Sequence, residues 1–239
     1  MGSRRSHSSL DPSIPPLEPS FAPSYGAPNP EPEHIQKLIS HLSLQPHVEG
    51  GYFVETDRDA LRVPNPFTSV DTEALDGTRS ASTSIHYLLS PGNPLGAFHR
   101  NKGRTVHTLH HGRGRYVIIH ADEAAAPHLP GGYGSDKSNL PEHERWAGKA
   151  RVEVFVVGTD ILKGERVQWI VEGGKYKSSF LLPDEEGGGE SAGLLISETV
   201  VPGFEYDDHD FMKAERMKAL VSEAQADEMG WMLRKENIE

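Results

Sequence analysis

The stretch Gly96-Ala97-Phe98-His99-Arg100-Asn101-Lys102-Gly103-Arg104-Thr105-Val106-His107-Thr108-Leu109-His110-His111-Gly112-Arg113-Gly114-Arg115-Tyr116-Val117-Ile118-Ile119-His120 decides how this chain is read. It consists of short runs rich in Val, Ile, Thr, Tyr and Phe, divided by glycines, the pattern of successive β-strands. Along a strand, alternate residues share a face. Over 104–110, Thr105, His107 and Leu109 face one way, and Arg104, Val106, Thr108 and His110 face the other. Over 114–120, Tyr116, Ile118 and His120 oppose Arg115, Val117 and Ile119. Each run offers imidazole or guanidinium groups at intervals that converge if the strands close into a barrel.

Outward from this stretch the same period predicts strands at about 51–57, 81–90, 96–100, 151–157, 166–171, 175–182 and 193–201. Pro91-Gly92-Asn93-Pro94, Gly158, Gly173-Gly174 and Gly187-Gly188-Gly189 punctuate them. Short strands with no helix between them exclude a doubly wound parallel sheet and imply an antiparallel sandwich or barrel. Helices are expected only at the ends. Ile35, Leu38, Ile39 and Leu42 fall at i, i+3, i+4 and i+7, with Pro32 suited to a first turn and Pro46 closing the segment. A second helical pattern runs from about 208 to 236 and carries Phe211, Met212, Met217, Leu220 and Val221. Residues 59–80 and 121–149 read as loops. Residues 1–32 hold eight Pro and seven Ser and are expected to be a disordered tail, which leaves one domain over 33–239.

The chain has 239 residues and no cysteine, which removes disulfides, cysteine-held metals and thiol catalysis. Its 24 Lys and Arg stand against 35 Asp and Glu, a net charge of −11 that argues against nucleic acid and anionic membranes as partners. No apolar run reaches the roughly 18 residues of a membrane span, so a cytoplasmic location and a small-molecule partner are expected. Met1-Gly2-Ser3-Arg4-Arg5-Ser6 fits the N-myristoylation pattern, although a plain solvated terminus is the favoured reading.

The net charge conceals an asymmetry. From Gly77 to Ala121 there is no Asp or Glu, while Arg79, Arg100, Lys102, Arg104, Arg113 and Arg115 make the segment +6. His86, His99, His107, His110, His111 and His120 lie in the same segment. Imidazoles among Arg and Lys bind anions and move protons near neutral pH. They also bind divalent metals when a carboxylate or water completes the shell. The missing carboxylates favour the anion reading.

Gly96-Ala97-Phe98-His99-Arg100 and the Gly-closed strand pair after it resemble the first motif of the cupin superfamily. His47-Val48-Glu49-Gly50-Gly51-Tyr52-Phe53-Val54-Glu55-Thr56 resembles the opening of one cupin branch catalogued as a domain of unknown function. Ile85-His86-Tyr87-Leu88-Leu89 and Val200-Val201-Pro202-Gly203-Phe204-Glu205-Tyr206 fit later parts of that branch. The resemblance covers most of residues 40–211 and implies an all-β, RmlC-like double-stranded β-helix, a jelly-roll barrel, commonly a homodimer. It also implies four metal-ligand positions, of which only His99 is kept. The others fall on Asn101, Thr105 and Lys177. The cofactor is therefore open, and a displaced divalent-metal site using His99 and His107, with Glu49 or Glu55, is the alternative.

The expected function is binding of a small polar, anionic ligand, with isomerase or epimerase chemistry if the protein is an enzyme. His99 or His107 would be the base and Tyr176 or a second imidazole the acid. Glu49, Glu55, Arg100, Arg115 and Lys177 are the candidate ligand-binding residues. The rivals are a metal-dependent oxygenase or isomerase and a non-catalytic sensor or scaffold. Trp169 is read as core; Asp207-Asp208-His209-Asp210 looks like a metal cluster, with the acidic start of a helix as the favoured reading.

Overall fold

Period-2 segments must cover their apolar face, and here two antiparallel sheets cover each other. The computed structural model describes residues 6–23, 29–67, 77–124, 150–185 and 188–237. One sheet has six strands in the order β1 (Gln45–Pro46), β2 (Tyr52–Arg58), β5 (Thr83–Leu89), β12 (Leu194–Val201), β7 (Arg104–His111) and β10 (Gln168–Val171). The other has five, in the order β13 (His209–Phe211), β6 (Leu95–Asn101), β11 (Tyr176–Leu181), β8 (Gly114–Ile119) and β9 (Val152–Val157). A small hairpin joins β3 (Arg62–Pro64) to β4 (Thr78–Ser80). This is the expected all-β jelly-roll barrel, and each of the nine strands foreseen is present.

Between the sheets lie Tyr87, Leu89, Tyr116, Ile118, Phe155, Trp169, Leu181, Leu194 and Ile196. Both outer faces are also covered. Helix α1 (Glu33–His41) lays Ile35, fully buried, with Leu38, Ile39 and Leu42, over Tyr52, Leu88 and Leu195 of the six-stranded sheet. Helices α2 (Ala214–Leu220) and α3 (Glu223–Met229) lay Met217, Leu220 and Met229 over Phe98, Val117, Ile119, Tyr176 and Phe180 of the five-stranded sheet. The tight β7–β8 turn depends on Gly112, which sits at φ +84 where a Cβ would lie 1.9 Å from the Gly193 carbonyl oxygen.

Three expectations are corrected. The single helical pattern over 208–236 is instead a 3-10 turn, strand β13 and two short helices. His209–Phe211 pair with Asn101–His99 of β6, so ladder bonding wins over helix propensity there. A capping box at Ser222 and Gln225 then restarts the helix after Val221 turns extended. The segment 59–80 is not all loop, since it contains the β3–β4 hairpin and buries Arg79 against Asp208 at 2.6 Å. Residues 6–23 of the tail are packed against the domain. Glu228 of α3 accepts from Ser8 Oγ at 2.6 Å and from the backbone N–H groups of Ser9 at 2.7 Å and Leu17 at 2.9 Å. Leu17 is buried beneath the helices and the Trp231 indole donates to its carbonyl, so a few anchored contacts outweigh the composition. The Gly2 expectation and most of the 121–149 loop lie outside the described residues.

Candidate functional site

The inward series of five strands turns polar at one level of the barrel. On β12 the series runs Leu194, Ile196, Glu198, so a carboxylate stands where an apolar residue would continue. His107 on β7 is opposite Glu198 in the ladder. Lys177 on β11 is opposite Ile118 of β8 and His99 of β6. Lys177 is 2% exposed, and its ammonium donates to Glu198 Oε2 at 2.8 Å and to His107 Nε2 at 3.0 Å. The Tyr116 hydroxyl lies 3.0 Å from the same nitrogen. Trp169 stacks on His107 with the ring planes 7° apart and the centroids separated by 5.0 Å.

The second group is built around one peptide unit. The N–H of Ala97 donates to the Glu49 carbonyl at 2.7 Å, and the carbonyl of Ala97 accepts the His99 Nδ1 proton at 2.8 Å. A carbonyl only accepts, so His99 must carry its proton on Nδ1. Its Nε2 then presents a lone pair 3.2 Å from Glu49 Oε1, and no donor reaches that nitrogen among the described residues. His209 comes in from β13, its Nε2 2.8 Å from the same carboxylate oxygen, and its ring stacks on His99 with centroids 5.2 Å apart. His47 stands behind, with Nδ1 3.6 Å from Glu49 Oε2. Gly50 makes this approach possible, because at φ +102 its Cβ would fall 2.0 Å from the Leu95 carbonyl oxygen.

Burial and charge set the protonation states. Burial holds the His99 imidazole neutral, with its pKa down at about 3. Burial and the neighbouring Lys177 ammonium lower His107 as well. Burial alone would raise Glu198, but Lys177 and His107 outweigh it and hold the carboxyl well below its usual range. Glu49 is likewise kept ionised against its burial by the surrounding imidazoles, at about 2. The buried hydroxyls of Tyr87 and Tyr116 are raised well above the ordinary phenol value by desolvation and by the two carboxylates, so both remain protonated.

His99, His107, Glu49 and Lys177 are therefore brought into the barrel interior, while the other candidates are not. Tyr176 precedes Lys177 on β11 and faces outward, buried under the C-terminal helices with its hydroxyl 3.4 Å from Asp210. Arg100 also faces outward and holds Asp210 through two bonds of 2.7 and 2.9 Å. Arg115 shares the outward face with Val117 of the same cluster. Glu55 pairs with Arg58 near solvent. The acidic run is no helix start: Asp208 neutralises Arg79, Asp210 neutralises Arg100, and His209 enters the site.

The charge asymmetry of the sequence is offset in the fold. The segment without carboxylates in sequence acquires them in space. Arg79, Arg100 and Arg113 are each matched by an acid, and the interior holds Glu49 and Glu198 against one ammonium. Glu198 was not foreseen, and His209 was set aside with the acidic run as a helix start. The first had a legible signal, a Glu interrupting an apolar inward series; the second was masked by its acidic neighbours.

Residues 36–212 match the family described as Cupin superfamily (DUF985). The chain belongs to the cupin superfamily. This cupin is 39% identical to "Uncharacterized protein YML079W" of Saccharomyces cerevisiae over 221 residues, which are 90% of this chain and 94% of that one. It is also similar to the solved structure of a hypothetical protein from Leishmania major, with 25% identity and a TM-score of 0.60 over 84% of this chain and 98% of that one. Protein SO0799 from Shewanella oneidensis shares the fold at 22% identity and a TM-score of 0.56, over 84% of this chain and 96% of that one.

Proposed function

We propose that this cupin binds a small, uncharged polyhydroxy or hydroxycarbonyl molecule inside the barrel and moves a proton on it, an isomerase- or epimerase-type reaction. The observation that carries the reading is the fully enclosed Lys177 ammonium between Glu198 and His107. Enclosing an ammonium and a carboxylate costs stability that apolar residues of the same size would not, and such groups are found where chemistry needs them. Among the described residues no helix is long and apolar enough to cross a membrane. A homodimer and a cytoplasmic location belong to the same reading, and sedimentation velocity on the full chain checks the former.

The roles follow from protonation. Glu198 is an ionised carboxylate and can accept a proton from the carbon next to a carbonyl. Lys177 carries the positive charge that stabilises the oxyanion formed as that proton leaves. His107, a neutral imidazole with Nε2 3.3 Å from Glu198 Oε2, can take that proton from Glu198 and, with the protonated Tyr116 hydroxyl beside it, return it to the neighbouring position. Tyr176, expected as the acid, has no part in this scheme.

The test is solvent deuterium exchange. Full-length protein in D2O with chelator is incubated with a panel of neutral hydroxyaldehydes and hydroxyketones, and NMR reads deuterium at the carbon beside the carbonyl. Exchange is expected, and Glu198→Gln should abolish it. No exchange with any neutral member, alongside thermal shifts only with carboxylates or phosphates, would restore the anionic reading and overturn this one.

A further inference from the structure

The four-ligand cupin metal site implied by the resemblance does not fit this chain. Asn101 and Thr105 occupy two of its positions, and at a third Lys177 is already committed to Glu198 and His107. We propose instead that Glu49, His99 and His209 form a displaced site for one divalent transition-metal ion. This goes beyond the proton-transfer reading and does not depend on it.

The donor atoms point at one volume. One nitrogen from each imidazole and one carboxylate oxygen lie within 4.8 Å of one another. The His99 Nε2 lies 3.2 Å from Glu49 Oε1 and has no hydrogen-bond partner among the described residues, so two ligand-type atoms face each other with nothing between them. An orphaned, 5% exposed imidazole nitrogen is expensive to bury and is otherwise unexplained. Its other nitrogen is fixed by the Ala97 carbonyl, the support that orients metal-bound histidines. His209 would transfer its proton from Nε2 to Nδ1, or lose it, when the ion enters.

Two imidazoles and one carboxylate select zinc, iron(II), cobalt(II) or nickel(II) over the oxygen-seeking magnesium and calcium. Three protein ligands leave coordination positions for water or a small molecule. None of the three lies on the same element: Glu49 precedes β2, His99 is on β6 and His209 on β13. A cavity of about 170 Å³ lined by Asn101, Lys102, Gly174, Asp208 and His209 shares His209 with the cluster. A bound divalent cation would also turn the interior charge from negative to positive.

The experiment uses full-length protein stripped by chelator and dialysed. Zinc is titrated by calorimetry, and cobalt(II) by its visible absorption. Wild type is expected to take one ion per chain and to show cobalt bands of a nitrogen–oxygen site. Glu49→Gln and His209→Gln, each checked for folding by circular dichroism, should weaken zinc by about 100-fold or more and remove the cobalt bands. His110→Ala, at the outer His86–His110 ring pair, should change neither. Failure to bind one equivalent overturns the site, as does binding that survives both ligand variants or follows His110→Ala. Because deuterium exchange is measured in chelator, exchange without metal binding sinks this inference alone, and metal binding without exchange sinks the proton-transfer reading alone.

Discussion

Lys177→Met is the sharpest perturbation of the interior. It removes an ammonium that is 2% exposed and leaves Glu198, 8% exposed, without its cation. Methionine matches the length and bulk of the lysine stem, so the change creates no large cavity. What remains is an ionised carboxylate facing His107 at 3.3 Å in a site nearly closed to water. Breaking one partner of such a pair costs about 3–5 kcal/mol. For a chain of this size each kcal/mol moves the midpoint of thermal unfolding by about 2–4 °C, so Tm should fall by roughly 6–20 °C near pH 7. Adding Glu198→Leu should recover most of the loss, because an apolar pair in place of a buried ion pair is often neutral or stabilising. Differential scanning calorimetry on both variants, with chelator present, measures it. A single variant that melts within about 2 °C of wild type would show that Glu198 is not dependent on Lys177. A double variant no better than the single would show that packing, not charge, sets the cost.

Acid should weaken the fold in two stages. His107 is held neutral by burial and by Lys177, whereas the unfolded chain protonates this imidazole near pH 6.5. Below that pH the unfolded state binds more protons, so stability falls from pH 7 to 5, by up to about 1.4 kcal/mol per pH unit for one such group. Glu198, held low by Lys177, extends the loss below the ordinary carboxylate range. Urea midpoints should fall less steeply over pH 5–7 in His107→Gln, with His99 still contributing to the slope, and an unchanged slope there contradicts the assignment. Glu228→Ala should free residues 8–17, costing about 1–3 kcal/mol and exposing them to limited proteolysis; digestion at the wild-type rate would mean the anchor is elsewhere. Gly50→Ala forces a Cβ onto the Leu95 carbonyl at a positive φ and should cost more than about 1 kcal/mol. It should also weaken zinc by displacing Glu49, which a wild-type isotherm would refute.

The central strands were legible because period-2 alternation is a local property, and all nine foreseen appear. Strands β1, β3, β4 and β13 are two or three residues long and carry no period of their own; their partners hold them. The same locality explains the mixed outcome at the site. His99 and His107 could be placed inward from the alternation taken together with the family resemblance. Tyr176 and Lys177 are neighbours, and a one-residue uncertainty in register exchanges inside for outside. The charge map is offset in space for a different reason: it counts residues along the chain, whereas Glu49 arrives from the turn before β2 and Glu198 from β12.

The contact between Ser8 and Glu228 spans 220 residues. At ribosomal rates of about 5–20 residues per second, the N-terminal segment waits on the order of 10–40 s before its docking surface exists. Throughout that interval Leu10, Ile14 and Leu17 have nothing to cover, since their neighbours on α3 and around Trp231 are still unmade. A segment in that position must resist collapse and avoid pairing as a strand with a neighbouring chain, and proline and serine at almost every second residue supply both properties. The composition that signals disorder is thus suited to a piece that folds last, closing the two ends of the chain over a barrel already formed.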